Sequence, residues 1–289
     1  MTVHRKWGEL GRTRQLPPTS EPPILDNTIA LNLRGVSHWF EGPHGRTKVL
    51  EGIDLDIKSG EFLTVLGPSG CGKTTLLNII GGFVEADVGQ AESYGRLIEG
   101  PGPDRGVIFQ SYALFRWLTV QQNVEFGLRR LKMSKSERAD VAAHHLTLVG
   151  LQDFRSHYPY QLSGGMKQRV AIARALAADP KILLMDEPFA ALDAQMREIL
   201  QEELLGIWEQ TRKTIFFITH SVDEAIFLST RVCVMSARPG CSKAIFPVEL
   251  PQPRMDFRVR TTPAFAEIKE RVLALLREEV GSAAGRRAG

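Results

Sequence analysis

A glycine-rich loop constrains this chain more than any other stretch of it. The loop, GPSGCGKTT at residues 67–75, follows a short apolar run at 62–66 and precedes a helical apolar pattern. Strand, glycine-rich loop and helix in this order are the context that the phosphate-binding motif GxxxxGK[ST] requires. Glycines allow backbone N–H groups to converge on phosphate oxygens, and a helix N-terminus adds unpaired donors and a positive dipole. We therefore expect a phosphate site here; the alternative is a turn that binds nothing.

Two side chains of the loop suit a nucleotide and its metal ion. Lys73 is placed to reach the β- and γ-phosphates, and the hydroxyl of Thr74 is placed to ligate Mg²⁺. The predicted phosphate-binding set comprises Gly67, Pro68, Ser69, Gly70, Cys71, Gly72, Lys73, Thr74 and Thr75.

Composition sets limits on the class of protein. The 289 residues, 43% of them hydrophobic, are enough for one large or two modest domains with a real core. The net charge of +3 is too small to indicate a nucleic-acid partner. The three cysteines form no CxxC pair, which indicates a reducing compartment without disulfides. No apolar run approaches the roughly 18 residues of a membrane span, and the N-terminus has no apolar signal-peptide region, so we expect a cytosolic chain or one docked on a membrane through a partner.

Apolar patterns and breaker residues divide the chain into segments. Proline-rich polar residues at 1–28 predict a flexible N-terminal tail. Short apolar or alternating runs predict strands, and a period of 3.6 residues predicts helices. The predicted strands lie at 29–36, 50–57, 62–66, 106–109, 181–185, 214–219 and within 231–250, and the predicted helices at 120–131, 134–150, 170–178, 222–228 and 264–280. Ser134 and Glu137 form a capping box, and we expect about 111–165 to be a helical subdomain.

Polar side chains follow three of the predicted strands. After the strand at 181–185, Asp186 is placed to hold Mg²⁺ and Glu187 to accept a proton from an attacking water; the alternative is a solvated strand end. Gln110 lies where α/β sheets place ligand contacts, to ligate Mg²⁺ or to position water. His220 either contacts the γ-phosphate, orients Glu187, or merely caps the helix that follows.

Two further features have more than one interpretation from the residues alone. Trp39 and Phe40 lie upstream of the glycine-rich loop, and they either offer a face to a purine base or pack at a strand end. Ser163, Gly164 and Gly165 open a helix, and they form either a second anion site or a plain N-cap.

In this order and spacing, the motifs resemble those of ABC transporter ATPase subunits. The matching segments are GPSGCGKTT, VIFQ, LSGGMKQR, ILLMDEP, ALD at 191–193 and His220. The resemblance covers about residues 29–250 and implies an α/β fold: a P-loop NTPase ABC cassette with a RecA-like core, an antiparallel β subdomain and a helical subdomain. Residues 251–289 would form a C-terminal helical extension.

The resemblance implies ATP hydrolysis, with ATP and Mg²⁺ as cofactors. Phe40 resembles the aromatic residue that stacks on adenine, with Trp39 as the second choice. The implied catalytic residues are Glu187, His220, Lys73 and Gln110. The implied nucleotide-binding residues are Phe40, the loop residues 67–75, Gln110, Ser163, Gly164, Gly165 and Asp193. The implied metal ligands are Thr74, Gln110 and Asp186.

The resemblance also implies partners. Two copies would pair head to tail as a homodimer, so that the signature of one copy, residues 163–165, covers the γ-phosphate bound by the other. The surface at 111–118, with Tyr112, Phe115 and Trp117, resembles the one that receives a coupling helix from each of two membrane permease subunits. A periplasmic or lipid-anchored solute-binding protein would act indirectly. The ATPase would lie peripherally on the cytoplasmic face of the bacterial inner membrane, with no nucleic acid as a partner.

Three stretches narrow the resemblance to the nitrate, sulfonate and taurine importers: 98–110, 117–124 and 238–254. Within that branch, taurine or another alkyl sulfonate is the first choice of solute, and nitrate or bicarbonate is the alternative. Two rival classes are a soluble ABC ATPase acting in DNA repair or on ribosomes, and a nucleotide-binding regulatory subunit without turnover. The single cassette without heptads or a basic stripe argues against the former, and Glu187 with His220 argues against the latter.

Three residues depart from the family pattern. Met166 stands where many relatives have Gln, Ser221 stands after the histidine where Asp is common, and Arg116 stands where the branch often has Pro. Met166 and Ser221 do not occupy catalytic positions, so we expect them to tune activity rather than abolish it, whereas Arg116 bears on the predicted coupling contact.

Overall fold

The structure, a computed structural model, describes residues 27–43, 45–250, 254 and 257–285. Its strands are β1 Ile29–Gly42, β2 Gly45–Lys58, β3 Phe62–Leu66, β4 Val88–Ser93, β5 Arg96–Leu97, β6 Arg105–Ile108, β7 Ile182–Asp186, β8 Thr214–Ile218, β9 Arg231–Met235 and β10 Ser242–Pro247. Its α-helices are α1 Lys73–Gly81, α2 Val120–Glu125, α3 Lys135–Leu148, α4 Gly164–Ala177, α5 Ala194–Thr211, α6 Val222–Leu228 and α7 Pro263–Gly285. The tail predicted over 1–28 lies outside the described residues, except for 27 and 28.

The strands form two sheets. The smaller sheet is antiparallel, with the order β2-β1-β4-β5. The larger sheet has the order β10-β9-β3-β8-β7-β6; the strands from β9 to β6 are parallel, and β10 is antiparallel to β9. Because parallel strands run in one direction, their carboxyl ends lie at the same edge of the sheet. The predicted α/β fold is thus observed, and this edge is where the strand-end residues meet.

Strand β3, which leads into the glycine-rich loop, lies inside the core. All five of its residues are buried. Leu63 and Val65 pack in an apolar cluster with β1, β2 and α1. Phe62 and Leu66 pack on the opposite face, in a cluster with α4, α5 and α6. Both faces of the parallel sheet are therefore covered, which explains why its strands are continuous apolar runs and not alternating ones.

Local signals fix the helix ends. Ser134 and Glu137 form the predicted capping box of α3, and Thr119 with Gln122 forms another at α2. Gly82, in the left-handed conformation with φ 77°, ends α1. Each cap satisfies backbone groups that a helix end leaves unpaired. Among the described residues, no helix combines the length and apolar character that a bilayer span needs.

The first two strands are longer than the sequence predicts. The predicted segments 29–36 and 50–57 belong to one long hairpin, in which β1 and β2 stay paired as far as Gly42 with Gly45. Register shifts along the hairpin break the alternation of buried and exposed residues, and this hides the extent of the strands in the sequence. Residues 37–40 therefore lie within a strand, not between two strands.

The helical assignments also differ in places. The helix predicted at 120–131 is divided into α2 and a 3₁₀ turn at 127–130. Sequence analysis makes no prediction for α5, although Leu200, Leu204 and Trp208 form a buried stripe at helical spacing. The segment 111–165 contains α2, α3 and short 3₁₀ turns. Its limits as a subdomain, and those of the ATPase domain and the C-terminal extension, stay predictions.

A buried ion pair joins the start of β3 to β9. The carboxylate of Glu61, a residue that is 1% exposed, accepts hydrogen bonds from Nη1 of Arg231 at 2.8 and 3.1 Å. It also accepts one from the backbone N–H of Lys58 at 2.8 Å. The pair therefore holds together the entry to the strand that carries the glycine-rich loop.

We expect Glu61→Ala to lower the free energy of unfolding by about 3 kcal/mol, because loss of the buried carboxylate leaves the partly buried guanidinium of Arg231 without its counter-ion. Glu51→Ala is the matched control. Glu51 forms an exposed ion pair with Lys48 at 2.8 Å, and its loss should cost less than about 1 kcal/mol. Urea unfolding of the two variants measures the difference, and equal losses would contradict the prediction.

Candidate functional site

The order of the large sheet brings predicted site residues together. The glycine-rich loop follows β3, His220 follows β8, Glu187 follows β7, and these three strands are neighbours. They border a cavity of about 410 Å³, a size that suits a small-molecule ligand. The cavity is lined by Phe40, Val49, Gly67, Ser69, Gly70, Gly72, Lys73, Thr74, Thr75, Glu187, His220 and Arg238.

Two glycines give the loop its shape. Gly70 has φ 76° and Gly72 has φ 103°, in the region that favours glycine. At Gly72, a Cβ would also lie 2.7 Å from Cδ2 of Leu50 and 3.1 Å from the carbonyl oxygen of Val49. The loop therefore needs glycine for its turn and for its close packing against β2.

Lys73 begins α1 and folds back over the loop. Its ammonium group donates hydrogen bonds to the carbonyl oxygens of Gly67 at 2.8 Å and Pro68 at 3.1 Å. These bonds hold the positive charge on the cavity wall, close to the N-terminus of the helix. A phosphate group bound there would meet both the ammonium charge and the helix dipole.

Asp186, at the end of β7, meets the loop directly. The hydroxyl of Thr74 donates to the two carboxylate oxygens of Asp186 at 3.1 and 3.3 Å. Burial raises the pKa of Asp186 above its ordinary value, and the hydrogen bond from Thr74 opposes that rise. A hydroxyl and a carboxylate are hard oxygen donors, which Mg²⁺ takes together with phosphate oxygens and water. The residues at this point therefore fit a Mg²⁺ site.

Glu187 is held on the cavity wall in an uncommon backbone conformation. Its φ of 43° lies in the left-handed region, which costs a non-glycine residue roughly 1–2 kcal/mol. Its backbone N–H donates to the carbonyl oxygen of Ile218 at 3.0 Å, and its Oε2 lies 3.1 Å from Nδ1 of His220. Strand β8 and the residues after it thus fix both the backbone and the carboxylate of Glu187. A carboxylate held beside a phosphate cavity is able to accept a proton from water.

Phe40 and Trp39 point to opposite sides of β1, as successive residues of a strand do. Phe40 lines the cavity and is 47% exposed. Trp39 instead lies beneath two cations, with the charged groups of Arg46 and Lys48 at 5.5 and 5.0 Å from its ring. The geometry therefore favours Phe40 over Trp39 as the residue that offers a ring to a base.

The signature residues and Asp193 form a separate group, outside the lining of this cavity. Ser163 caps α4 by accepting a hydrogen bond from the N–H of Met166 at 3.3 Å, and Asp193 caps α5 by accepting one from Met196 at 2.9 Å. A Cβ at Gly165 would lie 2.8 Å from Cγ of Met196, so the two helix starts are in contact. Within one copy of the described chain, this second helix N-terminus does not border the first phosphate site.

Gln110 also lies outside the cavity lining. It follows β6, the outermost strand on this side of the sheet, and its side chain is exposed. Strand β6 pairs in parallel with β7, so Gln110 follows the strand next to the one that ends at Asp186. Of the three predicted metal ligands, Thr74 and Asp186 are in direct hydrogen-bond contact, and the role of Gln110 stays a prediction.

Three side chains near the motifs have packing or capping roles. The side chain of Cys71 is buried, and this burial raises the pKa of its thiol, so the loop presents its backbone and not a thiolate. Ser221 caps α6 by accepting a hydrogen bond from the N–H of Glu224 at 3.3 Å, a role that Asp also performs well. Met166 packs against the helical cluster. The departures at 166 and 221 therefore preserve the local structure.

Arg238 is a cavity residue that sequence analysis does not identify. It follows β9, which pairs with β3 on the side away from β8. Its Nε donates to the carbonyl oxygen of Gly70 at 3.3 Å. A single sequence does not show which strands become neighbours. From the sequence, the segment 238–254 is therefore only a stretch that resembles the family, and the pairing of β9 with β3 is what brings Arg238 to the cavity.

Comparison with known proteins agrees with this geometry. Residues 50–190 match the ABC transporter family. An uncharacterized ABC transporter ATP-binding protein of Methanocaldococcus jannaschii is 52% identical over 252 residues, which cover 87% of this chain and 93% of that protein. The taurine import ATP-binding protein of Rhizobium johnstonii is 47% identical over 261 residues, which cover 88% of this chain and 100% of that protein. The nitrate import ATP-binding protein of Synechocystis sp. is 44% identical, with 86% and 95% of the two chains covered.

A solved structure has the same fold. It is the dimeric post-hydrolysis state of an ATP-binding cassette bound to ADP and Pi, and it superposes with a TM-score of 0.68. It is 33% identical in sequence, and the match covers 76% of this chain and 99% of that one. The predicted fold class, a P-loop ABC cassette, is confirmed.

We expect Glu187→Gln to reduce ATP turnover by roughly 10²–10⁴-fold, the range for loss of a general base. ATP binding should survive, because Lys73 and the loop are unchanged. Phosphate release measures turnover, and nucleotide binding is measured separately. Glu249→Gln, an exposed glutamate outside the cavity lining, is the control. Turnover that equals the control would remove Glu187 from its predicted role.

Proposed function

The chain belongs to the ABC transporter ATPase family, in the branch of the nitrate and taurine import ATP-binding proteins, and from that premise we propose that it powers uptake of a small anion. It is an ATP hydrolase, as the family is. The proposed cargo is taurine or another alkyl sulfonate. Nitrate or bicarbonate is the alternative cargo.

One observation carries this proposal: a lysine, a hydroxyl and a carboxylate–imidazole pair border a single cavity, and that hydroxyl, of Thr74, is bonded to the carboxylate of Asp186. We assign Lys73 to the β- and γ-phosphates, and Thr74 with Asp186 to Mg²⁺. We assign Glu187 the role of general base. His220 would position the Glu187 carboxylate and contact the γ-phosphate.

In hydrolysis at this site, the protein contributes mainly positioning and electrostatic stabilisation and little covalent chemistry. A water oxygen attacks the γ-phosphorus while its proton passes to the carboxylate of Glu187, and the bond between the γ-phosphorus and the ADP oxygen breaks. Mg²⁺, when bound, offsets charge on the phosphate oxygens. Phe40 offers its exposed ring to the adenine base. The loop and Lys73 hold the phosphates still, so that the attacking water and the leaving oxygen are in line.

A head-to-tail homodimer would complete the site. The signature residues 163–165 lie outside their own cavity, at the N-terminus of a 14-residue helix. A helix N-terminus attracts an anion, and a second copy supplies one. In this arrangement the signature and Asp193 of one copy face the nucleotide of the other. The dimeric state of the similar cassette with ADP and Pi supports the proposal.

The surface at 111–118 is proposed as the contact for each of two membrane permease subunits. Trp117 is 73% exposed on it. Phe115 packs against Trp117 and Phe126, with ring centroids at 5.5 and 4.2 Å. The fully buried Asn123 accepts a hydrogen bond from the N–H of Phe115 at 2.8 Å and donates one to its carbonyl oxygen at 3.1 Å. The exposed indole of Trp117, on a turn that Asn123 holds in place, is therefore suited to pack against a helix of a partner.

Arg174 connects this surface to the signature helix. It lies on α4, and its guanidinium donates to the carbonyl oxygens of Ala113 at 2.6 Å and Tyr112 at 3.0 Å. Tyr112 and Ala113 have φ 60° and 46°, so the turn has a backbone conformation that residues other than glycine rarely adopt. Because α4 begins at the signature, a permease that displaces 111–118 would move the signature as well. By reciprocity, ATP-driven closure of the dimer would act on the permease.

The cargo and the cellular setting follow from the resemblance. Relatives named for taurine and nitrate import are 47% and 44% identical to this chain. The stretches 98–110 and 117–124 favour the sulfonate side of that branch. A periplasmic or lipid-anchored solute-binding protein would select the solute and act through the permease. The ATPase would then work at the cytoplasmic face of the inner membrane.

Complementation between two disabled variants tests the shared site. In a Glu187→Gln background, Lys73→Ala disables the loop of one copy and Ser163→Arg disables the signature of the other. Neither homodimer should trap ATP, whereas the mixed dimer should trap one ATP, because one composite site stays intact. Labelled ATP retained through gel filtration measures trapping. Full trapping by the Ser163→Arg homodimer would contradict the head-to-tail arrangement.

Solute-stimulated hydrolysis tests the transport role. The chain is reconstituted in vesicles with the permease and solute-binding protein encoded next to it, and taurine, other alkyl sulfonates, nitrate and bicarbonate are added in turn. We expect taurine or an alkyl sulfonate to raise ATP turnover several-fold. Stimulation by nitrate or bicarbonate alone would replace the proposed cargo. Unchanged basal turnover with every solute would contradict the import role with these partners.

A further inference from the structure

Arg238 occupies the strand end next to the glycine-rich loop. The carboxyl ends of β9, β3, β8 and β7 are adjacent in that order, since these strands are parallel neighbours. The last three ends supply the loop, His220 and Glu187. Arg238 follows the first, and it lines the same cavity. Its position in the sheet is therefore equivalent to that of residues already assigned to the nucleotide.

The guanidinium of Arg238 uses only one of its nitrogen atoms in a hydrogen bond to a described residue. Its Nε donates to the carbonyl oxygen of Gly70 at 3.3 Å, within the loop itself. Over the described residues, its two Nη groups have no hydrogen-bond partner and no carboxylate pairs with it. A guanidinium is permanently charged and presents a fork of donors that matches phosphate oxygens. Arg238 is exposed at the cavity, so its unpaired Nη groups are accessible to an anionic ligand that enters from solvent.

The turn that carries Arg238 is packed tightly against the loop. Gly240 donates its N–H to the carbonyl oxygen of Val49 at 2.8 Å and accepts from the N–H of Glu51 at 2.9 Å. A Cβ at Gly240 would overlap the carbonyl oxygen of Cys71, so only glycine allows this approach. The turn is thus fixed to β2 and to the loop at once, which leaves little freedom in where Arg238 begins.

The C-terminal helix holds the turn from the other side. Glu279 on α7 is buried, and its carboxylate accepts a hydrogen bond from the N–H of Ala237 at 3.2 Å. The same carboxylate lies 3.3 Å from Nζ of Lys243. The residue before Arg238 is therefore anchored, while the guanidinium reaches the cavity.

From these observations we infer that Arg238 is a further nucleotide-binding residue, which contacts the phosphate chain of a nucleoside di- or triphosphate opposite Lys73. The inference rests on the proposed nucleotide site of the cavity. Arg238 adds a second positive charge to that of Lys73, and its link to Gly70 keeps it beside the loop that cradles the phosphates. Through Glu279, the C-terminal helix supports the position of this residue.

The test compares Arg238→Gln with Arg96→Gln in the full chain. Arg96 is exposed on β5, outside the cavity lining, so its variant removes the same charge at a neutral place. Calorimetry measures the Kd of AMP-PNP, ADP and adenosine. We expect Arg238→Gln to raise the Kd of AMP-PNP and ADP roughly ten- to hundredfold, the loss of a charge-assisted hydrogen bond, with adenosine unchanged. Arg238→Lys should recover part of the affinity, because it keeps the charge.

The possible outcomes separate this inference from the function on which it rests. Affinities of Arg238→Gln equal to those of Arg96→Gln would overturn it and leave Arg238 as a clamp on the loop. An equal loss for adenosine would overturn the phosphate contact. If AMP-PNP binds the unmodified chain no better than it binds Lys73→Ala, the nucleotide site itself fails. The thermal unfolding midpoint of each variant shows whether the fold is retained.

Discussion

The parallel alignment of β9, β3, β8 and β7 is the constraint on which the rest of the structure depends. Hydrogen bonding in this register places four carboxyl ends side by side at one edge of the sheet. Those ends supply Arg238, the loop 67–75, His220 and Glu187. Reversing any one strand would carry its end residue to the opposite edge, at least the length of a strand away. The chemistry of the cavity is therefore a consequence of strand direction.

The sheet is able to hold this edge because apolar clusters cover both of its faces. This packing matters because the edge contains backbone conformations that are unfavourable in an unfolded chain. Glu187 keeps φ 43°, and Gly72 and Gly240 lie where a side chain would clash. Asp186 is partly desolvated, which raises its pKa above the ordinary value. Core packing offsets these local costs, in the way that functional sites commonly require.

The molecule divides its work between elements that meet at a few polar links. The cavity is the proposed nucleotide site, whereas the signature group on α4 lies outside its lining within one copy. Arg174 connects that helix to the exposed turn at 111–118. Glu279 connects the C-terminal helix to the turn before the cavity. Each link is a hydrogen bond to backbone, so a shift of either element moves the main chain of the other.

The sequence by itself determined the loop, the strand–loop–helix context and the identity of the family, because those depend on residue type and on order along the chain. It also determined most buried strands, which its apolar runs mark. It did not determine the extent of the β1–β2 hairpin, where register shifts break the alternation, or the choice between Phe40 and Trp39. Only the tertiary structure placed Arg238 in the cavity and left Gln110 and the signature outside its lining. Those outcomes depend on which strands become neighbours, and pairing between distant segments leaves no local pattern in the sequence.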